Sequence, residues 1–155
     1  FGDEETAQKS LDFLATKQQS SGGFINGDGQ VNTNSTAVAA QAFATAGRTA
    51  ELTKAQAYLS DLQLDCSFDA AIRGGIAFTA EDKAALKKAP NDQNTIDRML
   101  RATPQTTLAL ASGSLLDVTV DGSSATAPSP TCSTGTSTPS PSGSTSTPPG
   151  TFVTR

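Results

Sequence analysis

Three short blocks of this chain occur twice in the same order, and that repetition narrows the folds open to it more than any other feature. FLATKQ at 13–18 returns as YLSDLQ at 58–63, and GGF at 22–24 returns as GGI at 74–76. TAVAAQAFATAG at 36–47 returns as TPQTTLALASGS at 103–114. Each copy reads as a helix ending in Leu-x-x-x-Gln, a Gly-Gly-apolar turn, and a helix initiated by threonine. Internal similarity of this kind is the signature of repeat architectures, in which neighbouring units bury each other's apolar faces. The second copy carries insertions before and after its Gly-Gly turn. The repeat rests on Gln18, Gly22, Gly23, Phe24, Asn34, Ser35 and Thr36 in the first copy. Gln63, Gly74, Gly75, Thr103 and Gln105 carry it in the second.

Hydrophobic spacing predicts helices over 4–19, 35–46, 50–63, 80–89 and 94–112. Acids occupy the first turn of the earliest helix, where the helix dipole favours them. Asn34 or Ser35 is the expected N-cap of the second, with Gly47 as its stop. Thr79 is the expected cap of the fourth. Pro104 should kink or split the last, because proline lacks the N–H and its ring crowds the preceding turn. Residues 114–122, SLLDVTVDG, fit neither a helical nor a strand period. Phe13, Phe24, Phe43, Tyr58 and Phe78 are expected in the core, and Glu81-Asp82 and Lys87-Lys88 on a solvated helix face.

Composition changes sharply from about Gly122, after which Ser, Thr, Pro and Gly dominate; six of the eight prolines lie between Pro128 and Pro149. Such a segment cannot bury enough apolar surface to offset its ordering entropy. The expected organisation is therefore a helical domain over 1–121 and a disordered Ser/Thr/Pro-rich stalk over 122–155. The net charge of −4, without a Lys/Arg cluster, argues against nucleic acid or an anionic membrane as partner. No apolar run reaches the ~18 residues that span a bilayer. The chain starts at Phe1 without signal-peptide features and is expected to be processed or partial. Its end, STPPGTFVTR, carries neither an LPxTG-type sorting signal nor a hydrophobic anchor, so it either continues or is released. A stalk of this composition points to export, where thiols oxidise. Cys66 and Cys132 are accordingly expected to form a disulfide, the alternative being two free thiols.

GGFINGDGQVNTNS, 22–35, invites comparison with a calcium loop. Counted from Phe24, Asn26, Asp28, Gln30 and Asn32 fall at positions 3, 5, 7 and 9, with Gly29 at 6. Phe24 replaces the first acid, however, and Ser35 replaces the closing bidentate carboxylate. One anionic ligand is too little for a strongly hydrated dication, so a Gly/Asn/Asp turn is expected. Asn34-Ser35-Thr36 also fits the N-glycosylation pattern, with helix capping as the competing role. The Gly pairs are not phosphate loops, since no Lys-Ser/Thr follows either. With no histidine in the chain, Ser–His acyl transfer is impossible.

The run ending in Gln18, then Gly22-Gly23-Phe24, a variable loop and NSTAVAAQAF resembles the prenyltransferase/squalene-oxidase-type repeat. That repeat builds the α/α toroid of terpenoid cyclases, protein prenyltransferase β subunits and transcobalamin-like carriers. NSTAVAAQAFATAGR with RATPQTTLALA, a late cysteine and the stalk looks closest to exported, wall-associated actinobacterial toroid proteins. The resemblance covers about residues 5–132 and implies a partial toroid, about half the helices of a closed ring. The enzymes of this family use an Asp-x-Asp-Asp run or an Asp/Cys/His zinc set, and this sequence has neither. It also lacks the aromatic lining that stabilises carbocations.

Together these readings give an all-α, partial α/α toroid on a stalk, exported to the extracellular space or cell wall. The expected work is non-catalytic binding or display, with a small ligand or a cell-surface or protein partner and no cofactor. A further candidate partner is the missing N-terminal half of its own toroid. Two alternatives stay open: the C-terminal part of an isoprenoid-acting toroid enzyme, and a corrinoid-type carrier.

Overall fold

The computed structural model describes residues 3–119 and Cys132. The described chain is mostly helical, as expected: α1 Glu4–Lys17, α2 Thr33–Thr45, α3 Thr49–Asp61, α4 Ala80–Lys88 and α5 Gln93–Leu110, then a 3-10 turn, η1, at Leu115–Asp117. Between α1 and α2, β1 (Phe24–Ile25) pairs antiparallel with β2 (Val31–Asn32). The expected stalk, 122–155, lies outside the described residues apart from Cys132.

The two repeat copies share one hydrogen-bond scheme. Gln18 Nε2 donates to the carbonyls of Gly22 (3.0 Å) and Glu51 (2.9 Å), and Gln63 Nε2 donates to the carbonyl of Gly74 (3.4 Å). The next residue's N–H then reaches across the turn: Gln19 to Gly23 at 2.9 Å, Leu64 to Gly75 at 2.8 Å. Gly22 (φ +88°) and Gly74 (φ +81°) both take the left-handed conformation that lacks a Cβ penalty. A Cβ on Gly22 would also lie 2.2 Å from the Lys54 carbonyl, so this turn presses directly on α3.

A threonine then receives each turn. Thr36 Oγ1 accepts the Phe24 N–H (2.9 Å) and donates to the Asn32 carbonyl (2.7 Å). Thr103 Oγ1 accepts the Ile76 N–H (3.0 Å) and donates to the Met99 carbonyl (2.8 Å). Neither threonine starts a helix, contrary to the expectation from sequence. Thr36 is the fourth residue of α2, and Thr103 lies well inside α5. The hydroxyl is placed for the turn before it, not for the helix end.

Three further expectations need correction. The N-cap of α2 is Asn32, whose Oδ1 accepts the Ser35 N–H at 2.9 Å; neither Asn34 nor Ser35 caps it. The chain is already extended at Asn32 and the Thr33 N–H is bound by the Phe78 carbonyl, which moves the helix start forward. Pro104 does not divide α5. The partner it fails to supply is the Leu100 carbonyl, and both residues are exposed, so water can serve there. Asp82 is not on a solvated face: it is buried and takes a bidentate contact from Arg98 Nε (2.8 Å) and Nη2 (2.6 Å), joining α4 to α5. The hydrogen bonds to Asp82 raise the Arg98 pKa further above its usual range. Thr79 caps α4 as expected, accepting the Asp82 N–H.

α2 is central, packed on α3 and α5. Ala37, Ala40, Ala55, Leu59 and Ala109 form that contact without any exposed surface, and their small size lets the helix backbones approach closely. Phe24, Ala39 and Phe43 form a second cluster, covered by Leu11 and Leu14 of α1, with the two rings 6.0 Å apart. Leu64, Phe68, Ile72, Ala77, Leu86 and Met99 form a third between α4, α5 and the 62–76 turn. Of the aromatics expected in the core, Phe24 and Phe43 are buried, whereas Tyr58 and Phe78 are partly buried. Phe13 stands 63% exposed on α1, with Lys17 Nζ 4.7 Å from its ring centre. Cys66 and Cys132 are joined, closing a span of 66 residues. In the chain-entropy view that closure contributes about 4 kcal/mol.

Two stability measurements test this picture. Asn32→Ala should lower unfolding free energy by ~1 kcal/mol through loss of the cap, while Asn34→Ala should not lower it. Asp82→Ala should cost about 1–2 kcal/mol in urea unfolding, less than a fully buried pair would, because the Arg98 side chain keeps 39% of its surface in water.

Candidate functional site

An apolar trough runs along the part of α2 that no described helix covers. Its first section, 470 Å³, lies among Leu14 of α1, Asn34, Val38 and Ala39 of α2, and Gln105 of α5. The second, 580 Å³, lies among Leu11 of α1, Gln41 and Thr45 of α2, and Leu115 and Leu116 of η1. Both sections include Ala42, so they adjoin along α2. None of the lining side chains is charged.

Sequence and local structure explain each wall. The alanines of α2 give a shallow floor, and Val38 rises from it 58% exposed. At the far end Leu115 and Leu116 stand 70% and 85% exposed as a ridge. Gln41 positions that ridge: its Oε1 accepts the Leu115 N–H (3.2 Å) and its Nε2 donates to the Gln105 carbonyl (3.4 Å). Sequence reading overlooked Gln41, although a lone amide inside the alanine-rich run AAQAF was a usable signal. It also missed Gln56, which donates to the Ala109 and Leu110 carbonyls and to Ser112 Oγ at the end of α5. Ser112, at φ +56°, makes the left-handed stop that Gly47 makes for α2.

The other wall, α1, has no buried residue. Leu11 and Leu14 hold it against α2, aided by Arg48, which pairs with Asp12 (2.7 Å) and Glu51 (2.9 Å). The Arg48 guanidinium holds both carboxyls below their usual range.

The residues singled out from sequence do not all meet here. Asn34, Ser35 and Gln105 line the trough; Gln18, Gly22, Gly23, Gln63, Gly74, Gly75 and Thr103 build the two turns. Asn34 Oδ1 is shut off from solvent and has no hydrogen-bond partner, a cost of ~1–3 kcal/mol. The hydroxyl of Thr36, the other end of the glycosylation pattern, is fully buried and engaged. In the metal-like stretch, Asn26 Oδ1 accepts the N–H groups of Asp28 (3.0 Å) and Gln30 (2.9 Å), an Asx turn. Asn32 Oδ1 is occupied by its cap bond and lies in the interior, away from the exposed Asp28.

A smaller depression of 310 Å³ lies beside Tyr58, whose hydroxyl donates to the Val31 carbonyl (3.0 Å) and whose pKa burial raises to about 12. A further depression, of 500 Å³, lies over Phe68, where Lys83 and Lys87 already bind the carbonyls of Asp61 and Ser67. Both have charged residues in their walls, Glu81 in the first and Asp61, Asp65, Lys83 and Lys87 in the second, which the trough has not.

The ion pairs set how the trough responds to acid. A depressed carboxyl pKa contributes stability that is present above the unfolded value and lost as pH falls through the folded one. Amide-exchange protection of α1 should therefore stay level from about pH 5 to 8 and fall below about pH 4, with Asp12→Ala already lowered at neutral pH. No protein-family model, curated protein or solved structure matches the chain.

Proposed function

We propose that this chain is a non-catalytic binding or display domain, exported and carried on its Ser/Thr/Pro-rich tail. The trough along α2 is its recognition surface. The observation that carries this reading is the lining itself: apolar groups, hydroxyls and amides, uncharged throughout. Such a surface suits holding an apolar ligand or partner, with the exposed amide of Gln105 setting orientation. The Cys66–Cys132 bridge supports export, since disulfides persist in oxidising compartments. The shared turn scheme of the two copies supports an array of toroid-type hairpin repeats, in which each unit packs on its neighbour.

The test is binding of the uncharged apolar dye Nile red to the full chain. Val38→Lys and Leu116→Lys should each weaken it at least ~10-fold, a loss of about 1.4 kcal/mol, without changing the unfolding midpoint. Unchanged dye binding in both variants would sink the assignment of the trough. Diphosphate release from geranylgeranyl diphosphate would replace this reading with the isoprenoid enzyme. A visible absorbance shift on titration with cobalamin would replace it with the corrinoid carrier.

A further inference from the structure

The disulfide joins two places that differ greatly in how they are held. Cys66 sits in the exposed turn that links α3 to α4. The base of that turn is laced by backbone bonds: Leu64 N–H to Gly75, Gly74 N–H to Leu64 (both 2.8 Å), and Ala77 N–H to Leu62 (3.0 Å). Before Cys66, Lys83 binds the Asp61 carbonyl at the end of α3; just after Cys66, Lys87 binds the Ser67 carbonyl and covers the Phe68 ring. The entry point is therefore fastened to α4 on both sides.

The bridge also encloses a core. Phe68, Ile72, Ala77, Leu86 and Met99 all lie between the two cysteines, and their cluster reaches outside the closed span only at Leu64. The path that the chain would otherwise offer to tension is weaker. It runs through η1 and the end of α5, held by Gln41 to the Leu115 N–H and by Gln56 to the last carbonyls of the helix. Helix ends and short 3-10 turns belong to the low-stability part of a fold and open before its core.

We propose that the Cys66–Cys132 bridge is a load shunt: tension arriving along the tail enters the domain at Cys66 and bypasses α4, α5 and η1. Under load the helices before Cys66 straighten, while the closed span keeps its own core and the α4–α5 contact through Asp82 and Arg98. α1, with nothing buried, yields first from the other end. The biological use of this device rests on reading the tail as a stalk. The mechanical behaviour does not, so the two can fail separately.

The experiment is extension of the full chain in optical tweezers, held at its two ends through tags that contain no cysteine. The same molecule is stretched before and after a reductant is flowed in. At ~3.6 Å per extended residue, the 66 bridged residues should hide about 230 Å of contour length until reduction. Reduction should also bring out an early low-force step from α5 and η1 that the oxidised molecule lacks. Equal contour gains before and after reduction, or the early step in the oxidised molecule, would overturn the proposal. Cys66→Ser/Cys132→Ser should reproduce the reduced trace; should that variant not fold, the before-and-after comparison on one folded molecule still decides.

Discussion

One threonine hydroxyl in each repeat copy ties that copy's glycine turn to a helix that follows it. Thr36 and Thr103 each accept one N–H from the residue after a glycine pair and donate to the carbonyl four residues back in their own helix. A serine or threonine hydroxyl can do both at once, which a carboxylate or an ammonium cannot. The turn is thereby fixed to a later helix, although the bonded residues are twelve apart in sequence in one copy and twenty-seven in the other, where all of α4 lies between them. The rest of the packing follows from that attachment. Phe24 and Ile76 are delivered to the interior, and α2 and α5 come together with α3 against them.

Much of this was legible in the sequence. Periodicity located all five helices, and the repeated blocks named the residues of the shared turn scheme. The cysteines were paired from composition alone, on the expectation that a chain with a Ser/Thr/Pro tail is exported. Less was legible wherever a residue type has more than one use. Asn32, Asn34 and Ser35 are all good caps, and which one serves depends on where the β1–β2 pair releases the chain. Asp82 looked like one more acid in a first helical turn, and only the arrival of Arg98 from α5 makes it an interior ion pair. Pro104 obeys local rules that predict a break, yet the lost bond falls on an exposed side of α5.

The trough could not have been placed from sequence, since it is made of what the helices leave uncovered. Leu115 and Leu116 belong to a stretch whose pattern fitted no period, and their position depends on the Gln41 amide, 74 residues before Leu115. Val38 sits at the place in the first copy that Gln105 occupies in the second, and both border the same depression. The repeat therefore contributes matching positions to one surface, with an apolar residue from one copy and an amide from the other.

Ala39 has a double position with its own consequence. It belongs to the buried cluster of Phe24 and Phe43, and it also forms part of the trough floor. One methyl group thus separates whatever lies in the trough from the aromatic interior. An occupant would press on atoms that the fold itself depends on, so occupancy and folding are thermodynamically linked through them. The melting temperature of the domain becomes its own binding assay, readable without a label and without knowing the ligand in advance.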